Sequence, residues 1–117
     1  MPPRVRLTIC AHGAVRVGSC VFCARPYESV DAGVLLWDGP LPRGYVCLFC
    51  QRGGARPAAR VLRFRARRNR VRAAHLQQEC PVRERASLRQ QFLDRADDLE
   101  GLADRLPESE GWGVEHS

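Results

Sequence analysis

Two pairs of cysteines share one spacing, Cys20 and Cys23 in "GSCVFC" and Cys47 and Cys50 in "GYVCLFC". Thiolates separated by two residues can grip one ion while nearby backbone N–H groups hydrogen-bond to the sulfurs, and zinc favours four such ligands in a tetrahedron. The 23 residues between the pairs match the spacing of a four-cysteine structural site. The expected cofactor is one structural Zn2+. Four thiolates close its coordination sphere, so the ion would stabilise the fold and activate no water. An iron–sulfur cluster or a set of redox thiols is the competing use of the same residues.

Four further residues, Cys10, His12, His75 and Cys80, have the ligand types of a second site, but no spacing requires them to meet. A small hydrophobe at a strand end accounts for Cys10, and a position in an interhelical break accounts for Cys80. Surface or packing roles account for both histidines.

A chain of 117 residues is expected to form one domain, and at that size a staple adds needed stability. The start, "MPPRVRLTIC", has no apolar run long enough for a secretory signal, and no stretch reaches the length of a membrane span. These features point to a soluble, cytoplasmic protein with no membrane partner and no small-molecule substrate. A reducing compartment favours metal over disulfides.

The cysteines need elements to position them. Residues 4–10, "RVRLTIC", place Val5, Leu7 and Ile9 on one side and Arg4, Arg6 and Thr8 on the other, the alternation of a half-buried strand. "AHGA" reads as a turn and "VRVGSC" as the returning strand, so the first pair is expected to hang from that hairpin. "VLLWD" at 34–38 reads as another strand, "GPLPRG" as a turn, and 45–47 as a third short strand.

On "CVFC", the intervening "VLLWDGPLPRGYV" and "CLFC", residues 20 to about 55 resemble the broad zinc-ribbon and treble-clef class of zinc-finger domains. The resemblance implies that Cys20, Cys23, Cys47 and Cys50 are metal ligands. A treble clef would run from the second pair straight into a helix, whereas "QRGG" follows here, so both subtypes stay open.

From Ala55 an apolar stripe at 55, 59, 62, 66, 73 and 76 predicts a helix over 55–78, with Pro57 in its first turn. After a break at "ECP", the stripe Leu88, Phe92, Ala96, Leu99, Ala103 and Leu106 predicts a second helix over 82–106. The expected fold is α+β. A β-rich metal-binding half (1–54) packs as one domain with a helical hairpin (55–106), and an acidic tail (107–117) is expected to be disordered.

All 19 basic residues are arginine, which reflects either genome composition or a need for guanidinium chemistry. Eight of them lie between Arg56 and Arg72 with no acid among them, while residues 94–115 carry a net charge of −6. On a helical wheel Arg56, Arg60, Arg63, Arg67 and Arg70 form a basic ribbon along one flank of the apolar stripe, and Arg65, Arg68 and Arg72 line the other flank. Like charges four apart repel, so a compensating partner is expected. Nucleic-acid phosphates are the leading candidate, and Asp94, Asp97, Asp98, Glu100 and Asp104 on the next helix are the internal alternative. Phe64 and Val71 leave an apolar spot in the basic face, which is either an incidental exposed patch, a docking point for a partner protein or a base-stacking contact.

No nucleophile elbow, HExxH, phosphate loop or dinucleotide fingerprint occurs. A metal-dependent nuclease would need histidines near the finger, where only His12 lies. The sequence therefore reads as a non-catalytic zinc-finger protein that binds nucleic acid, DNA or RNA, through its arginine-rich helix. Its rival is an adaptor or small subunit that docks on protein through the helical hairpin.

Overall fold

The computed structural model describes residues 5–11, 16–29, 32–79, 82–107 and 115–116. In chain order the elements are β1 (Val5–Ala11), β2 (Arg16–Ser19), β3 (Pro26–Ser29), β4 (Ala32–Asp38), β5 (Leu41–Tyr45), α1 (Leu48–Gly53), α2 (Ala55–Glu79), α3 (Val82–Arg105) and β6 (Glu115–His116). The fold is α+β.

The alternation in β1 holds on its inner face, where Val5 and Leu7 are buried with Leu36 and Val34 of β4. β1 and β4 are antiparallel, with Leu7 opposite Leu36 and Ile9 opposite Val34. The outer face departs from the simple pattern, because Thr8 is also buried and its hydroxyl accepts a hydrogen bond from the Trp37 indole N–H at 2.9 Å. Arg6 stacks over the same indole.

The expected pairing of β1 with the strand that follows it is not formed. β1 joins β4, and β2 pairs with β3 instead, Arg16 opposite Ser29 and Ser19 opposite Pro26. The first cysteine pair is thus the turn of the β2–β3 hairpin. The tight bonds Ala24 N–H to Cys20 O and Cys20 N–H to Arg25 O, each 2.9 Å, close that turn.

Most of "GPLPRG", read as a turn, is strand. The turn is confined to Gly39 and Pro40, and Leu41–Tyr45 forms the edge of the main sheet, ordered β5-β4-β1-β6. A register shift places Pro42 opposite Trp37 and Gly44 opposite Leu36, passing over Arg43. An edge strand with a bulge tolerates a residue that lacks an N–H. Where a tail without structure was expected, Glu115–His116 pair in parallel with Thr8 and Ile9 of β1. The rest of that segment beyond Pro107 lies outside the described residues.

After Cys47 the chain does enter a helix. α1 contains Cys50 and stops at Gly54, whose φ of 86° and ψ of −178° suit a residue without Cβ. Gly54→Ala is expected to cost about 1–3 kcal/mol in a urea or thermal melt. Gly53→Ala, where an added Cβ meets Pro57 at an ordinary 3.7 Å, should be neutral or stabilising.

α2 buries Ala55, Ala58, Leu62, Ala66, Asn69 and Ala73, and α3 buries Ala96, Leu99, Leu102, Ala103 and Leu106. Alanines on both faces let the backbones approach closely. One apolar cluster joins Ala58, Leu62 and Ala66 of α2 and the buried residues of α3 to Val5, Leu7, Phe22, Val34, Leu36 and Val46, so the sheet, the first knuckle and the hairpin share a core. Asp38 of β4 and Arg105 of α3 lock the layers together by a bidentate pair at 2.7–3.1 Å. Arg43 of β5 bonds Asp98 of α3 at 2.5 Å.

Candidate metal centre and basic face

The β2–β3 turn supplies Cys20 and Cys23, and the start of α1 supplies Cys47 and Cys50. The two segments are stitched directly, Val21 N–H to Tyr45 O at 2.9 Å and Cys47 N–H to the Cys20 Sγ at 3.3 Å. On the α1 side, the Gln51 side-chain amide donates to Val46 O at 2.7 Å. All four sulfurs then lie within 4.8 Å of one another, with Cys20 and Cys50 buried and the other two half-buried.

A tetrahedral zinc with bonds of about 2.3 Å spaces its sulfurs about 3.8 Å apart. Cys23 Sγ and Cys47 Sγ are 3.7 Å apart, matching that spacing and far beyond the roughly 2.05 Å of a disulfide. The donor set therefore fits a metal ion, as the spacing in the sequence implied.

The electrostatics agree. Burial opposes ionisation of Cys20, but N–H groups of Cys47, Cys23 and Phe22 outweigh it and hold the thiol below its ordinary value. Burial and the neighbouring thiolates push Cys50 and Cys23 up. Without a cation, the Cys20 thiolate opposes ionisation of Cys23 and Cys50. A divalent ion removes that conflict.

A second metal site is not assembled among the described residues. His12 and Cys80 lie outside them, His75 is exposed on α2, and the only described group of three or more metal-ligating side chains is the four cysteines.

The arginines of α2 divide by face. On the side toward α3, Arg70 forms a bidentate pair with Glu100 and reaches Asp97 at 3.2 Å, and Arg63 bonds Asp104 at 3.1 Å. Its hydrogen bond from Arg70 holds the Glu100 carboxyl below the usual carboxylate range. The internal alternative foreseen for the ribbon thus applies to these two residues. Away from these pairs Arg67, Arg68 and Arg72 are exposed around Phe64 and Val71, with Arg68 over the Phe64 ring at 5.9 Å, while Arg60 is exposed in a groove that it shares with Arg63 and Asp104. Arg56 is also exposed, at the start of the helix.

Arg65 has a role that composition did not reveal. Half-buried, it donates to the carbonyls of Val21 and Phe22 at 3.1 and 2.6 Å, tying α2 to the first knuckle. Burial and the nearby Arg95 lower its pKa from the ordinary guanidinium value. Asn69, one turn on, donates its amide to Arg65 O at 2.9 Å. The polar residue in an otherwise apolar stripe was the available signal for this junction.

A second group that sequence reasoning passed over surrounds the knuckles. Leu48 and Phe49 are exposed at the start of α1, with Arg25 stacked on Phe49 at 5.8 Å.

The fold and site define an α+β protein with a four-cysteine centre able to bind a metal ion. No helix is long and apolar enough to cross a membrane among the described residues. No protein-family model, curated protein or solved structure matches the chain.

Proposed function

We propose that the protein is a small, non-catalytic, cytoplasmic nucleic-acid-binding protein. One zinc ion on Cys20, Cys23, Cys47 and Cys50 staples it, and the outer face of α2 reads phosphate. The first pair in a hairpin turn and the second at the start of a helix favour the treble-clef over the zinc-ribbon arrangement. Iron in place of zinc would accept the same four sulfurs.

The observation that carries the reading is the division of the arginines. α3 neutralises Arg63 and Arg70 but leaves Arg67, Arg68 and Arg72 along a groove that contains no acid, with Arg60 exposed in a second groove that also holds Asp104. Guanidiniums bind phosphate oxygens bidentately, and such a row of like charges gains most when an anion covers it.

Fluorescence anisotropy with short double- and single-stranded DNA and RNA tests this. Log affinity should fall linearly with log salt, with a slope of about −3 to −4 if four phosphates are neutralised. Replacing Arg60, Arg67 and Arg72 by alanine should flatten the slope by about 2 to 3, whereas Arg63→Ala should change it by less than one. Absence of salt-dependent binding to all four ligands rejects the reading.

The adaptor is the second reading. It is favoured by Phe64 and Val71, each 53 % exposed, which line a shallow groove of about 440 Å3 with Arg67, Arg68 and Arg72. Phe64→Ala would abolish protein docking but only weaken phosphate-led binding.

A further inference from the structure

Between the first knuckle, α2 and α3 lies a pocket of about 380 Å3. Arg65, Arg68 and Arg72 enter from α2 and Arg95 from α3, with Phe92 and Asn69 completing the wall. No acid lines it. Of the acids of α3, Asp94 is engaged with Gln90, Asp97 and Glu100 with Arg70 and Asp104 with Arg63, while Asp98, in the adjoining groove that Arg65 and Arg95 also line, is engaged with Arg43. Arg95 therefore adds a fourth guanidinium with no carboxylate beside it in the pocket.

Convergence of like charges from two helices on one concave space is costly unless an anion occupies it. The metal centre supplies part of that charge, since Cys23 borders the pocket and a zinc tetrathiolate carries about −2. Four guanidiniums exceed it. The remaining charge suits a small, multiply charged oxyanion, whose oxygens accept forked N–H donors. The Phe92 ring beside the cluster offers an apolar flank for a base or sugar attached to that anion.

We infer that this pocket is a phosphate-binding site, formed by Arg65, Arg68, Arg72 and Arg95. The inference rests on the nucleic-acid reading only for the source of the phosphate. On that reading the phosphate belongs to the bound strand, because Arg68 and Arg72 also line the outer groove of α2 and join the two surfaces.

The test is an NMR titration of the zinc-loaded full chain, following the Asn69 side-chain amide and the arginine Nε–H signals. Inorganic phosphate is added first and a 5′-phosphorylated trinucleotide second, against chloride at equal ionic strength. Saturable shifts of Asn69 and Arg95 are expected with both ligands. Arg95→Gln should weaken binding about 10- to 100-fold while zinc stoichiometry stays unchanged. Arg52→Ala, on α1 and outside the pocket, should leave phosphate binding intact.

Phosphate binding without oligonucleotide binding would support the pocket and overturn the nucleic-acid source. Oligonucleotide binding that depends on Arg60 and Arg67 but is indifferent to Arg95→Gln would overturn the pocket and leave the outer face standing. No saturable shift with either ligand, or loss of zinc in Arg95→Gln with no phosphate binding in the parent, would assign the arginines to the metal centre and sink the inference.

Discussion

If Cys20, Cys23, Cys47 and Cys50 hold an ion, its removal is expected to unfold the protein. Structural zinc contributes about 10–16 kcal/mol in small finger peptides, as much as or more than the whole stability of an ordinary domain. The centre joins a hairpin turn to the start of a helix, and its loss frees both from the shared core. In a thermal melt followed by the near-ultraviolet signal of half-buried Trp37, a strong chelator should abolish the cooperative transition, and added Zn2+ should restore it. Cys23→Ser and Cys50→Ser discriminate ligation from packing. If the four sulfurs hold an ion, both variants lose the transition, although Cys23 is half-buried and Cys50 is buried. If the thiols only pack, Cys50→Ser costs far more than Cys23→Ser, and the chelator does nothing.

The second large effect concerns two phenylalanines that look equivalent in the sequence. Each is the residue before the second cysteine of its pair, Phe22 in "CVFC" and Phe49 in "CLFC". Phe22 is fully buried in the common core, whereas Phe49 is 75 % exposed. Phe22→Ala should cost about 3–5 kcal/mol, the usual loss for a large aromatic deleted from a packed interior. Phe49→Ala should change stability by less than about 0.5 kcal/mol. Urea denaturation of the two zinc-loaded variants measures the difference, and equal losses would contradict the packing described here. The asymmetry arises because the turn between β2 and β3 carries Phe22 into the core while its Ala24 and Arg25 stay exposed, and the first turn of α1 leaves Phe49 in solvent.

The parts legible in the sequence were those governed by local periodicity and ligand spacing. The four cysteines could be grouped because two-residue spacing is itself the geometry of chelation, and α2 and α3 could be delimited because their stripes run for several turns. Pairing was harder. Nothing in the alternation of Val5, Leu7 and Ile9 states which strand lies opposite, and the nearest hairpin proved to be the wrong partner. Pro42 and Gly44 hid an edge strand, because the residues that mark turns are also tolerated at a bulged edge.

The arginines of α2 show the same limit. Arg60, Arg63, Arg65 and Arg70 are alike in sequence and differ only in what faces them. Arg63 and Arg70 pair with carboxylates of α3, Arg65 bonds two knuckle carbonyls, and Arg60 shares a groove with Asp104, which Arg63 engages. Carbonyl partners leave no trace in side-chain composition. Arg65 could be assigned only once the knuckle and the helix were seen together.

The position of α3 late in the chain bears on the order in which a ribosome delivers this fold. Leu99, Leu102 and Leu106 close a core whose other walls, from Leu7 and Phe22 to Leu62, are synthesised earlier. Until α3 emerges, the apolar sides of the sheet and α2 stay open to water and to chaperones. Both cysteine pairs emerge well before that. An ion captured by the nascent chain would act as a template, holding the two knuckles in register through the interval when no hydrophobic lid yet exists.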